Sequence, residues 1–254
     1  MERIDKFIAD RSEMSRKDVK SALRSGAVKL NGNAVKDPSC KIDPEKDEIS
    51  VYGKMLLFRK NMYIMLNKPD GYVCSTRDGV SPTVLSLVPE QYRVNGIFPA
   101  GRLDKDSEGF VLITDDGDLA HRMLSPKKHL PKYYLVRLSR DYDSSAEELF
   151  EKGLVIDHGE QCLPAKVCGF DENKKYAFIE LHEGKYHQVK RMFEAVGNHV
   201  EYLFRTQIGG LFLDEKLEKG KCREMTSDEV KKLFEISNFS VALNNAKKSI
   251  GCIQ

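Results

Sequence analysis

The sequence predicts an α+β protein in which a small helix–helix–hairpin domain precedes a larger domain with a mixed, mostly antiparallel sheet. Two observations support this fold class. Segments with strand and helix patterns are mixed along the chain without a regular βαβ rhythm, which favours α+β. The 254 residues are 41% hydrophobic and 31% charged, which is the composition of a folded, soluble protein.

Two helices are predicted in the first 25 residues. Ile4, Phe7 and Ile8 recur at helical spacing and predict the first helix. Ser15, followed three residues later by Asp18, has the pattern of a capping box and predicts the start of the second helix.

The second helix carries a basic stripe. Arg16, Lys20 and Arg24 are spaced four residues apart and align on one helix face, with Lys17 beside them. Such a stripe suits a nucleic acid backbone, although a solvated helix face is the alternative. Asn31-Gly32, between two short apolar segments, predicts the tight turn of a hairpin that completes this domain.

Composition divides the chain into four parts. Residues 1–53 are predicted to form the small domain, and residues 54–61 a linker that contains basic residues. Residues 62–234 are predicted to form the larger domain. Residues 235–254 are polar with weak periodicity and are predicted to be a loosely packed C-terminal tail.

The larger domain contains five predicted strands and four predicted helices. The strands are residues 63–66, 110–114, 132–138, 177–182 and 210–214. The helices are residues 118–124 (stopped by Pro126), 144–152 and 188–196, and one that begins at Thr226, where Glu229 completes a capping box.

Charge and cysteine content exclude several classes of protein. The net charge of +2 is too small to identify a partner, but residues 1–36 contain nine basic against five acidic side chains. The six cysteines include no C-x-x-C pair, so free thiols are expected and no metal site is predicted. The chain has no run of 18 apolar residues and no apolar leader, so we expect a cytoplasmic protein without a membrane span.

A charged loop directly before an apolar strand is the main candidate for a catalytic group. Residues 101–110 read G-R-L-D-K-D-S-E-G-F and place Asp104 between two glycines, next to the predicted strand 110–114. A loop fixed on a buried strand can hold a carboxylate rigidly. For this loop taken alone, a hairpin turn with solvated charges is the alternative.

Two further motifs place polar side chains at the ends of predicted elements. Residues 183–192 (E-G-K-Y-H-Q-V-K-R-M) lie where a strand passes into a helix, a position that suits an anion. An ordinary helix start with surface lysines is the simpler explanation of that motif by itself. In K-Y-Y, Lys132 and Tyr134 share one face of a strand and Tyr133 points to the other. One tyrosine is therefore expected in the core and the other in a cleft.

In this order and spacing, the three motifs resemble the pseudouridine synthase family that acts on ribosomal RNA. The segments L-N-K-P at 66–69, G-Y-V-C-S-T at 71–76 and I-G-G at 208–210 extend the resemblance over about residues 2–234. The first 52 residues resemble an S4 RNA-binding domain, with R-x-D-K-F-I near the start and V-x-L-N-G at the hairpin. The combination resembles most closely the branch that modifies uridine 516 of small-subunit (16S) RNA, with the large-subunit (23S) branch as the alternative.

The resemblance implies a role for individual residues in the site. Asp104, the aspartate of G-R-L-D, would be the catalytic residue. Lys190, in H-Q-V-K, matches the basic residue that pairs with it, where a positive charge favours the ionised carboxylate. Tyr134 matches the active-site tyrosine, whose ring stacks on uracil. Arg102 would fill the space left by the target base or hold a phosphate, and Leu203 would pack under the site.

The resemblance also implies two sets of RNA-contacting residues. In the larger domain, the substrate-binding side chains are expected to be Arg102, Leu103, Lys132, Gln188, Leu203 and Arg205. In the S4-like domain, the RNA-binding residues are expected to be Arg3, Arg11, Ser15, Arg16, Lys17, Lys20 and Arg24.

The reaction of the family breaks the bond between ribose and N1 of a flipped uracil, rotates the base and rejoins it through C5. It implies no metal and no nucleotide or other cofactor. The expected partner is ribosomal RNA or an assembling small ribosomal subunit, bound by a monomer. Two other hypotheses are a non-catalytic S4-type assembly factor and a hydrolase with the carboxylate pair Asp104 and Asp106. The joint presence of Asp104, Tyr134 and Lys190 argues against the first, and the absence of tryptophan against the second.

Overall fold

The structure, a computed structural model, describes residues 1–12, 14–44, 46–56, 61–125, 130–170 and 174–249. The helix stop predicted at Pro126, the linker residues 57–60 and Cys252 lie outside the described residues. Of the helices that the structure describes, none is long and apolar enough to span a membrane.

The described residues form seven α-helices and seventeen strands. The helices are α1 (Ile4–Arg11), α2 (Arg16–Arg24), α3 (Gly117–Leu124), α4 (Ala146–Lys152), α5 (Gln188–Ala195), α6 (Ser227–Lys232) and α7 (Phe239–Ser249). The strands are β1 (Glu2–Arg3), β2 (Val28–Leu30), β3 (Asn33–Ala34), β4 (Lys41–Ile42), β5 (Ile49–Val51), β6 (Lys54–Leu56), β7 (Tyr63–Lys68), β8 (Phe98–Pro99), β9 (Glu108–Thr114), β10 (Lys132–Leu138), β11 (Val155–Ile156), β12 (Glu160–Gln161), β13 (Lys166–Gly169), β14 (Tyr176–Leu181), β15 (Val200–Ile208), β16 (Leu211–Phe212) and β17 (Cys222–Glu224).

The chain divides into two units. Unit 1 consists of Met1–Met62, Val88–Phe98 and Thr114–Asp116. Unit 2 consists of Tyr63–Leu87, Pro99–Ile113 and Gly117–Gln254.

Unit 1 is built from α1 and α2 on a four-stranded sheet of order β3-β2-β5-β6. The predicted capping box at Ser15 is confirmed, because its side chain accepts from the Asp18 N–H while Asp18 accepts from the Ser15 N–H. Asn31 and Gly32 both have positive φ, +51° and +83°, as the tight turn between β2 and β3 requires. The small core consists of Ile4, Phe7, Ile8, Ala9, Val19, Ala22, Leu23, Val28, Ile42, Ile49 and Val51.

The first residues of the predicted linker belong to this sheet. Lys54–Leu56 form β6, which pairs with β5 in antiparallel register across the turn at Tyr52 and Gly53. The linker prediction over 54–61 was therefore wrong for residues 54–56. Gly53 has φ +78° and closes the turn of this hairpin.

Unit 2 is organised around a nine-stranded mixed sheet. Seven strands follow the order β13-β14-β10-β15-β9-β7-β17, with β16 added to β15 and β8 to β9. Strands β9 and β15 are parallel. The antiparallel pairs are β10 with β14 and with β15, β13 with β14, β15 with β16, and β7 with β17. The α+β fold class with a mostly antiparallel sheet is confirmed.

The sheet contains a long central strand that the sequence pattern did not predict. Strand β15 spans nine residues between β10 and β9. It carries polar residues at Glu201 and again at Arg205, Thr206 and Gln207, so its sequence lacks the apolar alternation by which strands are recognised. Arg205, Thr206 and Gln207 are nevertheless buried, because β15 lies inside the sheet between β10 and β9.

The C-terminal segment is packed, and the prediction of a loose tail over 235–254 was wrong for its described part. Residues 239–249 form α7, whose Ala242 and Ala246 are buried against Tyr133 and Phe178 of the sheet. Alanines have little apolar area, so the helical pattern is weak in the sequence. They allow α7 to approach the aromatic side chains of β10 and β14 closely.

Candidate active site

Unit 2 contains a cleft of about 780 Å³ at one face of the sheet. The segments around it include the loop between β8 and β9, the end of α3, strand β10, strand β15 and the turn from β14 into α5. Its polar and charged lining includes Arg102, Asp104, Lys132, Tyr134, Glu183, Lys185, His187, Gln188 and Arg205. The apolar lining includes Leu103, Leu130, Leu163, Leu181, Val189, Leu203 and Ile208.

The Asp104 loop is fixed by buried groups on its inner side. The Lys68 ammonium is fully buried and donates to the carbonyls of Pro69 (3.1 Å), Lys105 (3.0 Å) and Ser107 (2.5 Å). Burial lowers the pKa of Lys68. The Leu103 N–H donates to the buried Cys74 thiol at 3.3 Å. Asp104 thus stands on a braced loop, with its own side chain 28% exposed toward the cleft.

A glycine lets this loop lie against strand β15. Gly109 has φ +100° and pairs with Arg205 in the parallel register. A Cβ at this position would come within 2.4 Å of the Arg205 carbonyl oxygen, so only glycine permits the approach. The end of the loop is thereby tied to the strand that carries Leu203 and Arg205.

Strand β10 presents its two tyrosines to opposite faces of the sheet. Tyr134 is 7% exposed and lines the cleft. Tyr133 is fully buried beside Phe178, with ring centroids 6.0 Å apart, and its pKa is raised by burial. The alternation of a strand places Lys132 on the cleft side with Tyr134.

Two cations lie in the floor of the cleft, and neither is in close ion-pair contact with a carboxylate of the described residues. Arg205 is 2% exposed and donates from Nε to the Phe110 carbonyl (2.7 Å) and from Nη1 to the Arg102 carbonyl (3.3 Å). Its Nη2 has no hydrogen-bond partner. The Lys132 ammonium donates to the Leu130 carbonyl at 3.2 Å. Burial and the neighbouring Arg205 charge lower the pKa of Lys132 to about 8, although the charge of Glu183 acts on Lys132 in the opposite direction and raises its pKa.

The start of α5 brings a histidine to Asp104. His187 has left-handed backbone angles, φ +49° and ψ +33°, immediately before α5. Its Nε2 lies 3.6 Å from Asp104 Oδ1. Gln188 fixes this turn, because its Oε1 accepts from the Lys185 N–H (2.9 Å) and its Nε2 donates to Glu183 Oε1 (2.6 Å).

Lys190 pairs with a different aspartate from the one expected. Its ammonium donates to both carboxylate oxygens of Asp106, at 2.7 and 2.6 Å. Although partial burial opposes the effect, this contact lowers the pKa of Asp106. The expected ion pair between Lys190 and Asp104 was wrong for this structure. Lys190 lies on α5, two residues after Gln188. There its ammonium reaches the Asp106 carboxylate and does not line the cleft.

The structure brings together most residues that the sequence predicted for the site. Asp104 and Tyr134 line one cleft together with Arg102, Leu103, Lys132, Gln188, Leu203 and Arg205. Sequence reasoning missed Lys68, Cys74 and His187 as parts of this assembly. Lys68 and Cys74 belong to segments that carried the resemblance, but nothing in a linear pattern indicates that Lys68 is buried beneath the loop.

The residues of unit 1 that were predicted to bind RNA fall into two groups. Arg16, Lys17, Lys20 and Arg24 are exposed on α2. Arg3, Arg11 and Ser15 are engaged within the unit, with Arg3 on Asp5, Arg11 on Asp115 at 2.7 Å, and Ser15 in the capping box. The four α2 side chains are exposed and lie on one helix, which makes them the first candidates in this set for contact with a ligand.

The described cysteines 40, 74, 162, 168 and 222 are free thiols. Within the part of the chain that the structure describes, no three His, Cys, Asp or Glu side chains come together as metal ligands.

Comparison with known proteins identifies the class to which this fold and cleft belong. A family model described as RNA pseudouridylate synthase matches residues 62–195. A solved structure described as a pseudouridylate synthase has a TM-score of 0.64 and 40% identity, and covers 92% of this chain and 100% of its own. The chain belongs to the RNA pseudouridine synthases, which are isomerases.

Two relatives match this chain over nearly their full length. A Bacillus subtilis protein named as the uncharacterized RNA pseudouridine synthase YtzG is 44% identical over 236 residues, or 92% of this chain and 98% of the relative. The Haemophilus influenzae ribosomal small subunit pseudouridine synthase A is 42% identical over 236 residues, or 92% of this chain and 100% of the relative.

Proposed function

We propose that this protein converts one uridine of small-subunit (16S) ribosomal RNA to pseudouridine, at uridine 516, in the cytoplasm. The observation that carries the proposal is the cleft in which Asp104 lies with Tyr134 and Arg205 on a braced loop and strand. Support for the small-subunit substrate comes from relatives about 40% identical that are named for the small ribosomal subunit. The substrate is bare 16S RNA or an assembling subunit, bound by a monomer.

In the proposed mechanism, Asp104 acts on a uridine flipped into the cleft. The carboxylate either attacks the sugar or base as a nucleophile, or removes a ribose proton so that a glycal forms. On either route the bond from C1′ to N1 breaks and a bond from C1′ to C5 forms. The C5 proton is then lost and N1 is protonated, so no atom is gained or lost overall.

The other cleft residues have proposed roles that follow from their positions. Tyr134 lies on the cleft face of β10 and offers its ring for stacking on uracil. Leu103 and Leu203 supply apolar surface around the base, while Gln188, Lys132 and Arg205 supply donors and positive charge. Arg102 is exposed at the cleft and can replace the flipped base or contact a phosphate. We propose that Lys190 holds the loop through Asp106.

We further propose that unit 1 acts as an S4 RNA-binding domain. Its two helices and hairpin sheet, with four exposed basic residues on α2, support this role. Basic side chains gain affinity for RNA because each phosphate contact releases condensed counterions.

The proposal is tested by mapping pseudouridines in ribosomal RNA from cells with and without this gene, using carbodiimide-stop sequencing. We expect one stop in 16S RNA, at position 516, to disappear without the gene and to return with a plasmid copy. Loss of a stop in 23S RNA instead would support pseudouridine formation and identify large-subunit RNA as the substrate. An unchanged pattern in every RNA would contradict the proposal and favour a non-catalytic binding factor.

A further inference from the structure

An exposed aromatic stack stands at the rim of the cleft. Tyr186 is 73% exposed and lines the cleft. Its ring is stacked on that of His187, with centroids 3.8 Å apart and an interplanar angle of 17°. One face of the Tyr186 ring is covered by the histidine, and its large exposed fraction leaves surface available to a ligand.

The loop that carries this stack is held by polar contacts on both sides. The Tyr186 carbonyl accepts from Arg191 Nη1 at 3.0 Å. Arg191 in turn pairs with Glu160 at 2.8 Å and with Asp157. The Lys185 ammonium also pairs with Glu160, at 3.0 Å. A ring displayed on a braced loop loses little conformational entropy when a ligand stacks on it.

The stack leads directly to the catalytic carboxylate. The ring of Tyr186 covers His187, and His187 Nε2 lies 3.6 Å from Asp104 Oδ1. A base on the outer face of Tyr186 would therefore be separated from Asp104 by two side chains, Tyr186 and His187. Tyr186 and Asp104 line the same cleft, so a nucleotide that flanks the one bound at Asp104 is the candidate ligand of this ring.

We propose that Tyr186 is a stacking platform for an unpaired nucleobase that flanks the uridine bound at Asp104. This inference rests on the proposed function of the cleft. Flipping a uridine costs the free energy of its stacking and pairing, and stacking of the neighbouring base on Tyr186 offsets part of that cost. The ligand class is a base of any identity, since every base offers a π-face.

The surrounding charges favour a base over a phosphate at this position. The three cations closest in sequence, Lys185, Lys190 and Arg191, are each held by a carboxylate of the protein. A phosphate placed beside Tyr186 would have to compete with Asp106, Asp157 or Glu160 for them. An aromatic face needs no free charge to bind a base.

The chain contains no tryptophan, which gives a direct test. Tyr186→Trp introduces a single fluorophore that keeps the stacking surface. Leu149→Trp, on the exposed side of α4, is the matched control at a position 48% exposed. The probe is a 16S RNA fragment around position 516, made in versions in which each nucleotide flanking the target is replaced in turn by an abasic ribose.

We expect this RNA to quench the emission of Tyr186→Trp and to leave that of Leu149→Trp unchanged. Quenching should disappear for one abasic version and persist for the others. Binding measured on the same samples by anisotropy of end-labelled RNA shows that every version is bound. Bound RNA without quenching, or quenching that survives every abasic replacement, would overturn the platform.

The second test compares the RNA affinities of variants that contain no tryptophan. Tyr186→Ala should weaken RNA binding by about tenfold, the effect of losing one stacked base. Tyr186→Phe should retain the affinity, because the ring and not the hydroxyl binds the base. The abasic version that weakens wild-type binding should have no effect on Tyr186→Ala. Equal losses in wild type and Tyr186→Ala, or a loss in Tyr186→Phe, would contradict stacking.

Failure of the platform and failure of the proposed function are distinguishable. Pseudouridine in the same RNA is measured by nucleoside mass spectrometry after incubation with the wild-type protein. Product without coupling between Tyr186 and a flanking base overturns the platform alone. RNA binding with coupling but without product overturns the proposed reaction alone.

Discussion

Two carboxylates of one loop have different surroundings in this enzyme. Asp104 faces the cleft with His187 at 3.6 Å, whereas Asp106 is held by both contacts from Lys190. We predict that Asp104→Asn lowers the rate of pseudouridine formation by at least about 10²–10⁴-fold, because an amide neither attacks nor removes a proton. RNA affinity and the free energy of unfolding should change little. Single-turnover assays with 16S RNA measure the rate.

Asp106→Asn is the matched control for that substitution. It removes the partner of Lys190 but leaves the cleft carboxylate in place, so we expect a smaller loss of rate than for Asp104→Asn. Comparable turnover by Asp104→Asn and the wild type would contradict the role of Asp104.

Lys68 supports the same loop from below. Its buried ammonium donates to three backbone carbonyls, those of Pro69, Lys105 and Ser107. We predict that Lys68→Met lowers the free energy of unfolding by about 3 kcal/mol, because these acceptors lose their donor. Urea denaturation measures this change. Lys105→Met, at an exposed position of the same loop, should change it by less than about 0.5 kcal/mol. Equal effects of the two substitutions would show that Lys68 does not support the loop.

Lys132 should give the stability of the protein a pH dependence above neutrality. Its pKa is about 8 in the folded protein, compared with 10.5 for an ordinary lysine. Between these values the unfolded chain still binds the proton that the native protein has released, so this residue makes stability rise with pH. Below pH 8 Lys132 is protonated in both the native and the unfolded protein, so burial of its charge lowers the free energy of unfolding by its full amount.

The measurement is urea unfolding of wild type and Lys132→Met from pH 7 to pH 10. Methionine does not titrate, so the difference between the two proteins isolates this lysine. We expect the free energy of unfolding of the wild type to gain on that of the variant above pH 8. A constant difference across the range would mean that Lys132 is solvated.

At the scale of elements, local signals predicted helices and turns better than they predicted the sheet. The capping boxes at Ser15 and Thr226 and the turn at Asn31-Gly32 depend on a few adjacent residues, and all three are present in the structure. Strand β15 depends on neighbours far away in the sequence, which bury Arg205 and Gln207 and override the polar pattern.

The sequence predicted which residues belong to the site but not which of them are in contact with one another. The order of motifs indicated which segments meet, and Asp104, Tyr134 and Arg205 do share a cleft. The partner of Lys190 could not be predicted, because Asp104 and Asp106 are two residues apart and only the turn of the loop decides which one faces α5. The burial of Lys68 likewise depends on how this loop folds, because the Lys68 ammonium donates to the carbonyls of Lys105 and Ser107.

Helix α7 stabilises the face of the sheet opposite the cleft. Ala242 is fully buried in a cluster with Tyr133 and Phe178, next to the strand that carries Tyr134. We predict that Ala242→Glu lowers the free energy of unfolding by about 3 kcal/mol or more, because a charge would be buried without a partner. Asn244→Glu, exposed on the same helix, should change it by less than about 0.5 kcal/mol. Thermal and urea unfolding of both variants test this, and equal stability would mean that α7 is not docked in solution.

At the scale of the whole molecule, charge is distributed unevenly although the net charge is only +2. The exposed stripe of Arg16, Lys20 and Arg24 lies on α2 of unit 1. In unit 2, many cations are held by carboxylates, as in the pairs of Lys185 and Arg191 with Glu160. Three like charges at four-residue spacing on one helix face attract a polyanion together, so we expect this stripe to contribute most of the salt dependence of RNA binding.

We predict that replacing Arg16, Lys20 and Arg24 together by glutamine weakens RNA binding and lowers its dependence on salt. Each phosphate contact contributes about 0.7–0.9 to the slope of log affinity against log salt, so three lost contacts should reduce the slope by about 2. The control replaces three exposed lysines of unit 2, Lys166, Lys216 and Lys232, by glutamine. The control carries the same change in net charge and should keep most of the slope. RNA binding measured from 50 to about 300 mM salt decides the question. Equal slopes for the two triple variants would show that net charge, and not the α2 stripe, governs binding.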